Sequence, residues 1–389
     1  MNIISRKITC LILALSLLAL AGCGGSPAST PTGSAEPEST AAAAPSDAPP
    51  EADGESLYKV SEPTLPGQQS FHHMDGKLYY LKFVRGEAES PADNGETSTS
   101  INFRDYGEYF TTVQRILCRI NPDGTEEEEL TVIEDSTLTE GTIGFTSPSI
   151  VSVEADGSLW MSGHAFYYDA EGVYSGYDPF IVHLTMEGEE LALVNLREVS
   201  GGKVGTMPSA ATDAEGRLHV VGSELDMYSV SSSIPDDYLK LYVFGPGGEL
   251  LFTMDDGLDT MTMDLVRVGP YVGAVFFGGA DYVMLVDAGT GGWGETYEMP
   301  KSLDNGQMYA GDENYDVFYK SEGVLYGHFL EEDRSEEILN FADLGIDALL
   351  NWLIPLPDGA FLVRMVTTDH TLTPPSITWE VLLLERPAQ

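Results

Sequence analysis

Val151-Ser152-Val153-Glu154-Ala155-Asp156-Gly157-Ser158-Leu159-Trp160-Met161 reads as two short strands joined by an acidic turn that ends on glycine. Apolar and polar residues alternate on both sides of Asp156-Gly157, the two-residue period of a strand with one buried face. The glycine supplies the positive φ that a tight hairpin needs, and the acid before it can bond the turn backbone. The pattern returns in His72 to Leu81 around Asp75-Gly76, in Ala211 to Val221 around Glu215-Gly216, in Phe318 to Tyr326 around Glu322-Gly323, and in Leu353 to Val363 around Asp358-Gly359. Leu265 to Val275, around Gly269-Pro270, is a degenerate copy.

A second hairpin type alternates with the first: an apolar strand, a Gly turn and a strand often rich in Glu and Leu. Its copies are Ile116 to Gly124, Phe180 to Leu191, Leu241 to Leu251 and Tyr282 to Gly289. Each pair of hairpins makes a four-stranded antiparallel unit, and Gly157, Gly216, Gly269 and Gly323 recur at near-equal intervals. A repeated unit of this kind predicts an all-β chain folded as a β-propeller. Counting turns of the first type gives six blades, with seven as the alternative. The fifth blade is thin, and Asp343 to Leu350 reads as a short helix. The last blade has one strand too few, since only Ile377 to Glu385 follows its hairpin. Tyr58 to Leu65 is the segment expected to complete it as an outer strand, where Pro63 is tolerable because that strand is an edge.

The chain outside this repeat is of a different kind. Residues 1–22 carry Arg6 and Lys7, an apolar run from Ile8 to Leu20 too short to span a bilayer, and then small residues, the layout of a signal peptide. Residues 23–56 are Gly, Ser, Pro, Ala, Thr, Glu and Asp almost throughout, and cannot bury enough apolar area to offset the entropy of ordering. They predict a disordered acidic tether with an rms reach of roughly 30 Å. Residues 57–389 form the propeller domain. Of the three cysteines, Cys10 lies in the signal, Cys23 at its end and Cys118 between Ile116 and Ile120 on one strand face, so no internal disulfide is expected and Cys118 reads as a core residue.

Sixty-two acidic against 19 basic side chains give a formal charge of −43, which excludes nucleic acid as a partner and electrostatic docking on anionic lipid. Signatures of nucleophilic hydrolases, zinc proteases, P-loops, Cys-x-x-Cys sites and EF-hands are missing, so no catalytic residue, metal or cofactor is assigned. His72 and His73 are adjacent on a strand and point to opposite faces, which keeps them from sharing an ion; His183 and His219 alternate with apolar neighbours as core residues do. Glu126 to Glu129 and Asp255 to Asp259 lack the spacing of a calcium loop and read as solvated turns.

Loop length gives the positive signal. The connections between the second and third strands of the first three blades are long, about 84–112, 165–179 and 223–238, and they carry many aromatic rings. Tyr106, Tyr109, Tyr167, Tyr168, Tyr174, Tyr177 and Tyr228 are therefore the candidate binding residues, since long aromatic loops on a rigid scaffold are where recognition usually sits. The alternative for these rings is local packing against the blades.

Leu20-Ala21-Gly22-Cys23 resembles the lipobox of bacterial lipoproteins. The resemblance implies cleavage before Cys23, diacylation of its thiol, and anchorage by lipid at the outer face of the bacterial cytoplasmic membrane, with the long tether fitting a Gram-positive wall. Together with the Asp-Gly hairpins and the closing segment from Asn351-Trp352-Leu353 to Val381-Leu382-Leu383-Leu384, the chain resembles the N-terminal propeller portion of large Gram-positive solute-binding lipoproteins, without the solute-binding domain that follows it there. The expected function is that of a monomeric, membrane-anchored, non-catalytic binding module for an envelope protein, peptide or glycan. The alternatives are an accessory subunit of a transporter or envelope complex, and a propeller hydrolase, lyase or lactonase with acids or histidines converging on the central channel.

Overall fold

Six four-stranded antiparallel sheets make up the computed structural model, and five of them use strands consecutive in the chain. The structure describes residues 58–66, 70–84, 114–133, 149–168, 174–224, 239–254, 262–276, 281–346, 348–369 and 376–386. Strand β1 (Lys59–Ser61) comes first. Blade 1 follows with β2 (His72–Met74), β3 (Lys77–Val84), β4 (Gln114–Ile120) and β5 (Glu128–Ile133). Blade 2 holds β6 (Ser149–Val153), β7 (Ser158–Tyr168), β8 (Tyr174–Thr185) and β9 (Glu190–Asn195). Blade 3 holds β10 (Thr206–Thr212), β11 (Leu218–Ser223), β12 (Leu239–Phe244) and β13 (Leu250–Met254). Blade 4 holds β14 (Thr262–Val268), β15 (Tyr271–Phe276), β16 (Tyr282–Asp287) and β17 (Gly292–Glu298). Blade 5 holds β18 (Met308–Ala310), β19 (Val317–Ser321), β20 (Val324–Phe329) and β21 (Arg334–Asn340). Blade 6 has β22 (Leu349–Pro355), β23 (Phe361–Asp369) and β24 (Ser376–Glu385), and its fourth strand is β1.

That last pairing closes the ring. Lys59 stands opposite Glu385, Val60 opposite Leu384 and Ser61 opposite Leu383. The chain's first strand therefore completes its last blade, as the missing outer strand required. The short outer strand keeps the exposed edge small.

Six clusters of buried side chains hold the ring, one at each seam between neighbouring blades. Leu78, Tyr80 and Cys118 of blade 1 pack on Leu356, Leu362 and Leu383 of blade 6. Leu117 of blade 1 meets Leu159 and Val182 of blade 2, and Trp160 and Ile181 of blade 2 meet Leu218 and Phe244 of blade 3. The remaining seams join Leu241 to Val272, Val275 to Val317 and Phe318 to Phe361. Strand alternation is the cause: successive side chains of one sheet feed the seams on its two sides, so each central strand is apolar at nearly every position. Cys118 is fully buried in the first of these seams, as its place between Ile116 and Ile120 predicts.

One turn sits elsewhere than the repeat suggests. Glu322-Gly323 joins the second and third strands of blade 5, not the first and second; the first connection is the segment from Gly311 to Asp316, and Glu331 to Arg334 joins the third and fourth. Both Glu322 (φ 51°) and Gly323 (φ 82°) lie in the left-handed region, the two-residue turn also seen at Asp75 (φ 50°) and Gly76 (φ 75°). A middle connection this short has the same sequence signature as a first hairpin, which explains the misplacement; the count of six blades is unaffected. The expected helix over Asp343 to Leu350 is also corrected. A single 3₁₀ turn at Phe341–Leu344, capped by the Asn340 side chain, ends at Gly345, and Leu349 already belongs to β22.

Candidate functional site

The six inner strands, β2, β6, β10, β14, β18 and β22, surround a central cavity of about 1030 Å³. Its wall carries His72, His73, Asp264, Arg267, Tyr309, Asp312, Glu313 and Asp358, and burial shifts the first three and Tyr309. The His72 ring bonds to the backbone of Ile150, yet burial lowers its pKa to about 4, so it stands neutral across the seam of blades 1 and 2. His73 is also pushed down by burial, and its Nε2 has no hydrogen-bond partner among the described residues. Trp352 Nε1, in the inner strand of blade 6, is likewise buried with no hydrogen-bond partner among the described residues. Asp264 of β14 accepts hydrogen bonds from the Ser209 hydroxyl of blade 3 and from the Leu265 amide (2.9 Å), and burial raises its carboxyl above the usual range. Tyr309 of β18 hydrogen-bonds to Gln307 Oε1 (3.1 Å) and to the Leu350 carbonyl (3.4 Å), and is pushed up by burial and then by the negative fields of Asp264 and Asp304.

Among the described residues no three His, Cys, Asp or Glu side chains come together as metal ligands would. The acidic run 126–129 is spent on pairing: Glu126 meets Lys77 (3.0 Å), Glu127 and Glu129 share Lys82 (3.1 and 2.8 Å), and Glu128 meets Arg119 (2.7 Å). The second acidic run, Asp255 to Asp259, lies outside the described residues.

A Ser–His–Asp set that the sequence reading did not single out lies at the seam of blades 2 and 3. Ser158 Oγ is 2.6 Å from Asp156 Oδ1 and 2.7 Å from His183 Nε2. It is a staple and not a catalytic relay. His183 Nδ1 is 2.8 Å from the Pro246 carbonyl, which can only accept, so the ring is oriented by blade 3 and not by the acid. Trp160 stacks on the same imidazole at 4.2 Å and 7°, and donates from its Nε1 to the Gly216 carbonyl (3.2 Å). Ser158 is 5% exposed. Blade 3 has a companion network, in which Asp213 accepts from the amides of Glu215 (2.9 Å) and Arg217 (3.0 Å), from Arg217 Nε (2.7 Å), and lies 3.1 Å from His219 Nε2. His183 and His219 are both buried.

The seven candidate tyrosines fall in three groups. Tyr106, Tyr109 and Tyr228 lie outside the described residues. Tyr167 and Tyr168 stand at the end of β7 and Tyr174 at the start of β8, so the stretch 165–179 is mostly a continuation of these two strands and not a loop. Tyr168 pairs with Tyr174 across the tip of that hairpin. Tyr177 is 2% exposed, its ring edge-on to His164 at 5.4 Å and 5.9 Å from the Arg197 guanidinium. It packs inside the blade. The sequence hid this, since Asp178-Pro179 just before the apolar run Phe180-Ile181-Val182 has the composition of a turn.

No protein-family model matches the chain, and no curated protein matches it in sequence. Solved structures resemble it at the level of the fold. A protein of unknown function from Dyadobacter fermentans is 12% identical, with a TM-score of 0.45 over 86% of this chain and 96% of that one. Sqt1 of Saccharomyces cerevisiae is 10% identical, with a TM-score of 0.36 over 81% of this chain and 70% of that one. A gluconolactonase from Xanthomonas campestris is 11% identical, with a TM-score of 0.38 over 72% of this chain and 83% of that one. The chain's own six four-stranded sheets make it a six-bladed β-propeller. Identities this low transfer no activity or partner between the proteins.

Proposed function

We propose that this propeller is the body of a bacterial lipoprotein, anchored through Cys23 at the outer face of the cytoplasmic membrane, and that it binds an envelope protein, peptide or glycan without catalysing a reaction. One observation carries the reading: the two ends of the blades differ. The turns joining first to second and third to fourth strands are short in most blades, whereas on the opposite face the blade 2 hairpin is drawn out, with β7 at 11 residues and β8 at 12. That hairpin places Phe166, Tyr167, Tyr168 and Tyr174 around its tip, on a scaffold fixed by six packed seams. Aromatic residues raised on a rigid frame are the usual material of a recognition surface.

β1 and β24 meet with Lys59 opposite Glu385, at the end of blade 6 that carries the short turns. β1 therefore begins at the face opposite the long hairpin.

The test uses the body from Leu57 as bait on a glycan array and in crosslinking to envelope extracts, beside a Tyr167→Ala, Tyr168→Ala, Tyr174→Ala triple variant. The proposal expects captured partners to be weakened roughly ten- to hundred-fold by the triple variant while its melting temperature stays within a few degrees. Full capture by a folded triple variant contradicts it.

A further inference from the structure

β1 presents only a short edge of its own, but it pairs with just three of the ten residues of β24, and 376–382 have no outer strand among the described residues. The cause is local. After Ser61 the chain meets Pro63, which has no amide to donate, turns with the Leu65 amide on the Pro63 carbonyl (3.0 Å), and packs Thr64 against the Gly124 turn of blade 1. β23 pairs with β24 from Phe361 opposite Leu384 to Asp369 opposite Ser376, so the uncovered stretch is held extended, with alternate residues turning N–H and C=O groups outward. β8 also outruns its outer strand, but there Pro179 interrupts the row of donors and Asn195 of β9 holds Asp178 (2.8 Å).

One face of this edge carries a charge without a counter-charge. Leu382 and Leu384 pack toward blade 5 and Leu383 toward blade 1, so by alternation Ile377, Trp379 and Val381 face the blade 1 side and Glu380 the other. Ile377 is 45% exposed. Arg364 of β23, opposite Val381, reaches along the blade 1 side and places its guanidinium over the Trp379 ring at 4.1 Å. In a chain with 62 acidic side chains, Arg364 pairs with none among the described residues; it is half-buried, and burial pulls its pKa down with no negative field to offset the loss of water. A guanidinium held on a ring with its planar donors unspent matches a carboxylate. A row of outward N–H and C=O groups is matched by another extended backbone. We propose that the open edge of β24 binds an extended peptide, which adds to blade 6 in line with β1 and sets an Asp or Glu side chain on the Arg364 guanidinium. This site is on the side wall of blade 6, separate from the β7–β8 tip, and does not depend on binding there.

Selection of random nonapeptides displayed on phage against the immobilised full-length protein at about 0.15 M salt tests this, the salt screening diffuse repulsion of acidic peptides by so acidic a chain. The proposal expects the selected peptides to share one Asp or Glu, with β-branched or aromatic residues at alternate positions around it. Made as a soluble peptide, the strongest binder should protect amides of the 376–382 stretch from hydrogen exchange. Its affinity should fall roughly tenfold or more when its acid is replaced by the corresponding amide, and a folded Arg364→Gln protein should bind the acid and amide peptides alike. The replacement in the peptide is read on the unaltered protein, so it decides the matter even where Arg364→Gln fails to fold. Absence of a shared acid, equal affinity of the acid and amide peptides for the unaltered protein, protection confined to the β7–β8 tip, or a protein that already sediments as a dimer with its β24 edge protected each overturns it.

Discussion

Arg386 donates from its Nε to the Tyr58 hydroxyl at 3.1 Å, joining two residues 328 positions apart in the chain. The guanidinium also lies 5.6 Å from the centre of the Tyr58 ring, and that ring is buried in the seam of blades 5 and 6 against Phe361 at 6.2 Å. The ends of the folded body are thus tied by a side-chain pair immediately outside the three-residue ladder of β1 and β24. Closing a ring this way makes the stability of every blade depend on a segment that the tether immediately precedes.

Deleting Leu57 to Leu65 should therefore lower the melting temperature far more than deleting Gly25 to Asp53. The first deletion removes a strand and the buried Tyr58 ring, whose burial alone contributes about 3 kcal/mol or more, and it exposes the edge of β24. Thermal unfolding of the two truncations compares them directly. Equal melting temperatures would refute closure by β1.

Gly124 tests the same corner from the opposite side. Its φ of +83° and the 2.5 Å that would separate an added Cβ from the Thr64 carbonyl oxygen mean that alanine is strained in backbone and blocked in space. Gly124→Ala should cost about 2 kcal/mol or more by denaturant titration, whereas Gly76→Ala, with positive φ but open space around it, should cost only about 1 kcal/mol. The difference measures how tightly the turn of blade 1 packs on the strand-to-blade connection.

Stability should fall in two steps on acidification. Burial lowers His72 and His164 to about 4, so between pH 6.5 and 4 the unfolded chain takes up protons that the folded protein refuses, and stability declines as pH drops through that window. Asp213 contributes the second step. Burial opposes its charge, but hydrogen bonds from His219 and Arg217 outweigh that and hold its carboxyl at about 2, so the stability it gives above pH 4 is lost between about 4 and 2. Denaturant midpoints measured from pH 8 to 2 should show both steps. His72→Gln should shrink the first and leave the second; an unchanged first step would contradict the assignment to His72.

Tyr177 separates packing from recognition. Replacement by alanine should cost about 3 kcal/mol or more, as for other buried aromatics, while Leu191→Ser, at a position 50% exposed, should lie within about 0.5 kcal/mol of the unaltered protein. Chemical denaturation of both variants is the check, and a neutral Tyr177→Ala would return that ring to the surface.

Turn glycines carried most of the fold, because a hairpin that needs positive φ leaves the same mark in every blade. The mark says that a turn is tight and does not say which strands it joins, so Glu322-Gly323 read as the opening hairpin of blade 5. The missing strand of blade 6 was legible from counting, and its supply by Lys59 to Ser61 followed. The Ser158–His183–Asp156 staple was hidden because its members come from two hairpins and close only when blade 2 meets Pro246 of blade 3. Asp264 was hidden for a related reason: in Thr262-Met263-Asp264-Leu265-Val266 it is one more acid in an acidic chain, and only the closed ring sets it against Ser209 of blade 3. The stretch 165–179 reads as loop in the sequence because Asp178-Pro179 and the small and acidic residues near it mask the alternation of β7 and β8.

Metabolic labelling with an acyl-chain analogue is the most direct measurement of the account as a whole, since it tests whether this propeller is an anchored envelope protein. Expressed in a bacterial host, the unaltered chain should carry the label and sediment with membranes, and Cys23→Ser should carry none and be recovered as precursor or in the soluble fraction. Equal label on both, or a label-free unaltered chain in the cytosol, would contradict it.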